Sequence, residues 1–545
     1  MIKLLRQTYY QLKRPEKRFV YLTIGLILLL TCLPPLTGLL SAPAGYSYTN
    51  VGFLAGADKM VYLSQIEEAS QGRLLFKNLY TAEPQAAQIF SPLWLAMGWL
   101  SLAASLSPLI IFHLFRVILG FIFLWLLYLF LARIFSKIIW RKTALLVLGL
   151  GSGLGVFTIS GNWSADYLYE HLGTDLWVSE GNTFLTLYHS PLFILSQILL
   201  LLIFWWLIER LPKARLAEAA GLGWLILFLG IIHPYDLFTV LGVTVGWFAA
   251  KCLRAKKFFK KIFFKLAIIG LIGSLSAVYF YWLKLANPVF AGWLSQNVTL
   301  SPKLANYLIG YGLIFVFYLL GLYRALKSKN KYLFFLGVWS VVGWFLLFMP
   351  LQFQRRLANG LHLPLAIIAV VGLVVALNYF RKKKIFTNHF LRSITAQGLA
   401  LLLVSSTLFF IGTELVLVAW RRYPIYIPKS YALAFDWLKA NLTNQEPILS
   451  SAQTGNIIPA FTGRLVYLGH GHQTADWQQK KPLVDNFFKD NVHDEAKRAW
   501  LVEQNIAYLF YGSFEESLGD FNPRGKDYLT PLFQADNVTI YKVAR

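Results

Sequence analysis

Long apolar runs separated by short polar connections occupy the chain as far as residue 420, and shorter alternations of apolar and polar residues follow. A helix needs roughly 20 mostly apolar residues to cross the hydrocarbon core of a bilayer. By that ruler the runs predict about eleven spans, at 19–40, 107–134, 143–160, 187–208, 217–233, 236–253, 266–285, 305–323, 333–351, 361–379 and 395–419. Between the first two lies a long segment, 41–106, with two helices suited to lying in the plane of the membrane interface. One is amphipathic, from Lys59 to Ser70, with Tyr62, Leu63, Ile66 and Ala69 on one face. The other runs from Ile89 to Leu106 behind Pro92.

Beyond residue 420 the period changes. Ser430–Leu442 and Asp494–Gln504 predict helices, while Pro447–Ser450, Arg464–Gly469, Ile506–Tyr511 and Val538–Val543 predict strands. The expected architecture is therefore a polytopic α-helical membrane domain, 1–420, followed by a C-terminal α/β extramembrane domain, 421–545. Gly151-x-Gly153-x-Gly155 falls inside an apolar span and reads as helix packing rather than a nucleotide loop.

Composition agrees with a membrane solvent: 57% of the 545 residues are hydrophobic and 14% charged, well under the roughly 25% charged of soluble domains. The two cysteines, Cys32 and Cys252, imply no disulfide framework. The basic start turns into an apolar run too long for a signal-peptide core, so 19–40 reads as an uncleaved span. A net charge of +25 invites a nucleic-acid partner, but its distribution removes the need for one. Lys and Arg concentrate in alternate connections: 133–142, 210–215, 251–265, 324–331 and 381–384. Positive residues are retained on the cytoplasmic side. The pattern thus predicts an integral protein of the cytoplasmic membrane with a cytoplasmic N-terminus, and an odd span count puts 421–545 on the extracytoplasmic side.

Candidate chemistry lies in the opposite connections, because ionisable groups near the bilayer cost roughly 2.5–3.5 kcal/mol each on insertion scales. Asp58, at the start of the first interfacial helix, suits a helix N-cap or a general base for an acceptor hydroxyl; the roles are compatible. Glu83 precedes Pro84 in a loop and is either solvated or held toward a site. The segment 161–190 has no Lys or Arg but carries Asp166, Glu170, Asp175 and Glu180. These are a solvated acidic face or oxygen ligands for Mg²⁺ or Mn²⁺, with Glu180 and His189 nearest to apolar helix. In His233-Pro-Tyr-Asp236, Asp236 caps the next helix or binds substrate, and His233 is a candidate donor or proton shuttle. Arg355 and Arg356, in Gln352-Phe-Gln-Arg355-Arg356-Leu-Ala-Asn359-Gly360, break the charge pattern. An arginine pair there grips phosphate through fixed N–H donors, or touches lipid headgroups.

Three phrases carry a resemblance: Asp58-x-x-x-Tyr62-Leu-x-x-Ile66-x-x-Ala69-x-x-Gly72, Trp177-x-x-Glu180-x-x-x-Phe184 before His189, and Phe353-Gln-Arg355-Arg356 before Gly360. With the large first outer loop and the terminal soluble domain, they resemble a bacterial branch of the GT-C superfamily of integral membrane glycosyltransferases. The resemblance implies sugar transfer, hexosyl or pentosyl and inverting, from a polyprenyl-phosphate donor to a glycan, lipid or protein acceptor outside the cytoplasm. It maps the family's acidic residue onto Asp58 as catalytic base and its phosphate-contacting arginine onto Arg355 or Arg356. Glu83, Glu180, His189, His233 and Asp236 are then expected to position sugar or acceptor. The chain departs from the family twice: Lys59 follows Asp58 where protein mannosyltransferases have an acidic pair, and the Trp-Trp-Asp-Tyr-Gly motif of oligosaccharyltransferases is missing. These departures leave acceptor type and dependence on a divalent cation open. The rival class is a transporter or lipid flippase; against it, the sequence has no evident repeated halves.

Overall fold

Most of the apolar runs fold into helices of the length a bilayer requires. The computed structural model describes residues 2–52, 54–162, 164–384, 389–421, 423–443, 445–489 and 493–544. Among them, nine helices are long and apolar enough to cross a membrane: Arg14–Leu40, Pro108–Ile134, Ile138–Thr158, Pro191–Glu209, Asp236–Ala255, Lys260–Ala286, Leu304–Lys327, His362–Lys382 and Ser393–Trp420. Two shorter apolar helices, Leu216–Ile232 and Lys331–Leu346, stand at the positions of the remaining two predicted spans. The protein is a multi-pass membrane protein with a small C-terminal sheet.

Local chemistry moves several boundaries. The run expected to begin at 187 is two helices, Thr183–His189 and Pro191–Glu209, because Ser190 before a proline is extended (φ −154°, ψ 140°) and caps the second through its side chain. The glycine run is corrected more strongly. Within Ile138–Thr158 the α-helix proper stops at Leu150, 151–154 is extended or turn backbone, and Gly155–Thr158 is a 3-10 turn. A Cβ on Gly153 would lie 2.3 Å from the carbonyl of Gly310, so glycine is needed for close approach, but of a loop rather than of a helix. Opposite it, the helix Leu304–Lys327 breaks at Gly312 (φ 46°, ψ −122°), and the carbonyl of Ile309 accepts the Leu154 amide at 2.9 Å.

The chain divides into two compact units. The first comprises 1–34, 114–279 and 299–415; the second comprises 35–113, 280–298 and 416–545. The first has one continuous apolar core, running from Val20 and Ile24 through Leu127 and Leu200 to Trp339 and Ile368.

In the second unit the first outer loop and the terminal segment share their structure. Tyr46–Tyr48 pairs antiparallel with Tyr426–Pro428, and Tyr80 sits in one core cluster with Ile427, Tyr431 and Phe510. The helix predicted at 59–70 forms over Gly56–Ser70, but protein encloses it: Glu67 and Glu68 are as buried as Leu63 and Ile66. It packs on Pro92–Ala104, where Gly98 meets Ala69, and on Ala452–Thr462. The terminal sheet has the order Ile448–Leu449, Tyr508–Tyr511, Val538–Val543, Leu529–Ala535, with the first pair parallel and the others antiparallel. The stretch 464–469 contributes only isolated bridges, Val466 to Ile448 and Leu468 to Thr81.

Candidate active site

In the first unit, one short 3-10 turn, Gln354–Ala358, carries both candidate arginines. The backbone amide of Arg355 anchors it by donating to the carbonyl of Thr299 at 3.0 Å. The two side chains then have different surroundings. Arg356 donates from Nη1 to Glu180 Oε1 at 2.7 Å, with the carboxylate 2% and the guanidinium 15% exposed. Burial opposes the charged form of Glu180, but the Arg356 and Arg355 guanidinium groups outweigh it and hold the carboxyl down at about 2. Arg355 forms no ion pair among the described residues. Its guanidinium lies 5.0 Å from the Trp177 ring centroid and donates to the Tyr169 hydroxyl at 3.1 Å, while its buried Nε has no hydrogen-bond partner. A cation so placed is oriented by neutral groups, while its charge also acts on Glu180 without a direct ion pair.

Three residues past Arg356, the fully buried Asn359 ties the turn to two spans. Its Nδ2 donates to Ser196 Oγ at 2.7 Å and to both oxygens of Asp236 at 3.0 Å, and its Oδ1 accepts from Gln197 Nε2 at 3.1 Å. Asp236 also accepts from Ser196 Oγ and lies 2.9 Å from His233 Nδ1. The carboxylate is thus engaged with Ser196, Asn359 and His233 rather than with the amides of the helix it opens. His233 stands edge-on to Phe193 at 5.4 Å, and His189 stacks on that same ring at 5.4 Å. The structure therefore brings His189, His233 and Asp236 into one buried group, joined through Asn359 to the arginine turn. Sequence reading gives no role to Ser196, Gln197 or Asn359: the first two leave only the signal of an uncharged polar residue inside an apolar run, and Asn359 stands unremarked in the arginine element.

The acidic segment does not act as a unit. Asp175 is buried and its Oδ2 accepts from the amides of Gly153 (2.9 Å) and Gly155 (3.4 Å). Burial raises its carboxyl to about 6, against the lowering effect of Ser406 and those amides. Glu170 pairs with Lys303, and Asp166 lies in the first turn of Ala165–Glu170. Among the described residues no group of three or more His, Cys, Asp or Glu side chains is placed to hold a metal ion. Asp175, Glu180 and Glu170 are committed to amides and cations instead.

The second unit holds the other two candidates. Asp58 is in the first turn of Gly56–Ser70, whose cap position is Ala55 (φ 45°), without a side-chain cap hydrogen bond. Asp58 Oδ1 lies 3.4 Å from His470 Nε2, at ion-pair range; Asp58 is 33% and His470 5% exposed. His470 Nδ1 accepts the amide of His472 at 3.1 Å, so Nε2 is the ring nitrogen nearest the carboxylate, within ion-pair range but without a hydrogen bond. From sequence, Gly469–His472 reads as a plain loop; only the fold brings His470 to Asp58. Glu83 is engaged by Thr81 Oγ1 and by the largely buried Lys480, so it fastens the outer loop to the terminal segment.

No family model and no curated protein matches the chain. Solved structures do. The oligosaccharyltransferase of Archaeoglobus fulgidus in the apo form matches with a TM-score of 0.50 at 14% identity, over 90% of this chain and 69% of that one. The Archaeoglobus fulgidus oligosaccharyltransferase AglB in complex with an inhibitory peptide and a dolichol-phosphate gives 0.50 at 12%, over 91% and 70%. Arabinofuranosyltransferase AftD from Mycobacteria gives 0.56 at 14% over 98% of this chain, which spans 42% of that enzyme's length. The likeness takes in nearly the whole chain, and this chain shares its fold with these solved transferases.

Proposed function

We propose that the protein transfers a sugar from a polyprenyl-phosphate donor to a glycan, lipid or protein acceptor on the extracytoplasmic side of the cytoplasmic membrane. The observation that carries this reading is the inequality of the two arginines. Arg356 is neutralised by Glu180, whereas Arg355 is held by an aromatic face and a tyrosine hydroxyl and has no ion partner among the described residues. A positioned guanidinium suits a phosphate, which it meets through two parallel N–H bonds. The fold supports the same reading, since one protein that shares it was solved with a dolichol-phosphate.

The chemistry is a single displacement. The acceptor hydroxyl attacks the anomeric carbon, its proton passes to Asp58, and the bond from that carbon to the phosphate oxygen breaks with its electrons on the phosphate. Arg355 stabilises the charge that develops there. The anomeric configuration inverts. His189, His233 and Asp236 serve as the polar group that orients donor or acceptor, Glu180 sets the position of Arg356, and Glu83 holds the outer loop.

The test uses the purified full chain in lipid, with a panel of C55 polyprenyl-phosphate monosaccharides. Expected are transfer to acceptor by the wild type, loss of transfer in Asp58→Asn, and a raised donor KM in Arg355→Ala. Full transfer by Asp58→Asn overturns the assignment of the base. Movement of the intact donor across the bilayer with no glycosyl product, in every member of the panel, overturns the enzyme reading in favour of a flippase.

A further inference from the structure

A cavity of about 610 Å³ lies in the first unit, away from the arginine turn, where three of the basic connections converge. Lys213, Lys251, Arg254, Lys329 and Lys331 line it, against one carboxylate, Glu209. That carboxylate is already shared, at 2.5 Å by Lys331 and at 3.4 Å by Arg133. Arg254 donates to the carbonyl of Ser328 at 2.8 Å and lies over Phe334. Lys251 rests between the rings of Trp247 and Phe259, at 5.2 and 5.3 Å, and Lys213 and Lys329 form no ion pair among the described residues. Retention of positive charge on one face explains basic loops. It does not explain why cations from separate connections turn into one concavity that holds a single, doubly paired carboxylate.

We propose that this cavity seats a phosphate-bearing anion, the headgroup of an anionic phospholipid. The phosphate meets Lys213, Lys251 and Lys329, whose charges are otherwise unbalanced. The acyl chains have a path beside it: Leu253, Phe258 and Phe264 are 79%, 55% and 62% exposed, and the rings of Phe248, Phe258 and Phe263 meet edge-on or tilted at 5.5–6.2 Å. Large apolar side chains exposed next to a basic hollow fit a lipid better than a free ion, because a soluble phosphate would leave that flank uncovered.

Native mass spectrometry of the full chain in detergent, with phosphatidylglycerol and phosphatidylcholine as probes, tests this. The wild type is expected to retain phosphatidylglycerol over phosphatidylcholine. The variant Lys213→Gln/Lys251→Gln/Lys329→Gln is expected to lose at least about tenfold of that retention. Lys382→Gln/Lys383→Gln/Lys384→Gln, equal in charge but outside the cavity, is expected to keep it. Equal retention in the two triple variants overturns the site, as does equal retention of both lipids. Displacement of phosphatidylglycerol by millimolar inorganic phosphate assigns the cavity to a soluble anion and overturns the lipid. A salt titration of the wild type gives a second reading should the cavity variant not fold: retention that does not fall between low and high salt also overturns the proposal.

Discussion

His470 Nε2 stands 3.4 Å from Asp58 Oδ1, so the terminal segment delivers an imidazole to the carboxylate near the start of the first-loop helix. Nδ1 accepts the His472 amide, so Nε2 is the ring nitrogen left on the side of Asp58. If Asp58 is the base, the imidazole orients the carboxylate. His470→Ala is expected to lower kcat by about tenfold or more with the donor KM unchanged. His472→Ala, which keeps the backbone amide, is expected to change neither. Steady-state kinetics of the two variants check this, and an unchanged kcat in His470→Ala would remove His470 as a positioning residue.

Arg356 and Glu180 are a buried ion pair. Removing one partner of such a pair costs about 3–5 kcal/mol, because the other charge is left buried and unpaired. Arg356→Gln and Glu180→Gln are each expected to lower the thermal midpoint clearly, and the double variant to recover part of the loss. Additive losses in the double-mutant cycle would show that the two side chains do not act on each other.

Low pH tests the same pair. The folded carboxyl of Glu180 sits at about 2, below its ordinary value of 4.5. Its contribution to stability is therefore full above about 4.5 and is lost as pH falls toward 2. Acid unfolding monitored from pH 5 to 2 is expected to be less steep in Glu180→Gln than in the wild type.

Glu68 has the opposite sign. Burial lifts its carboxyl to about 7, although Arg73 at 2.8 Å pulls it down. The folded state binds the proton more tightly than the unfolded chain does, so this group's contribution to stability falls as pH rises from about 4.5 to 7. Glu68→Gln is expected to flatten that decline. Thermal melts across the interval measure it, and an unchanged slope would remove Glu68 as the cause.

Asn359 supplies two donors to the buried Asp236 and Ser196. Asn359→Leu leaves polar groups without these partners and is expected to cost about 1–3 kcal/mol. Because the same residue ties the arginine turn to the spans, the donor KM is expected to rise as well. Thermal unfolding and donor titration report the two effects separately.

Fold class was legible because the bilayer imposes a length and a solvent on every span, and a run of apolar residues carries both. Helix ends were less so. Pro191 after Ser190 is a visible signal for a helix start, whereas the helix end at Leu150 is marked only by the glycines after it, which suit helix packing in a span equally well. Asp58, Glu180 and the arginine pair were visible because charge near the membrane is rare enough to be noticed. His470, Ser196, Gln197 and Asn359 were not. Small polar residues and a histidine in a glycine-rich stretch are common everywhere, and only their neighbours give them meaning.

By itself, then, the sequence determined the membrane solvent and the order of the helices, since both follow from local hydropathy and composition. Tertiary structure alone decided which arginine is neutralised, which carboxylates are engaged by amides or cations, and that 35–113 and 416–545 share a core. Many of those relations join residues hundreds of positions apart, and the local free energy of a segment contains no term for a partner that distant in the chain.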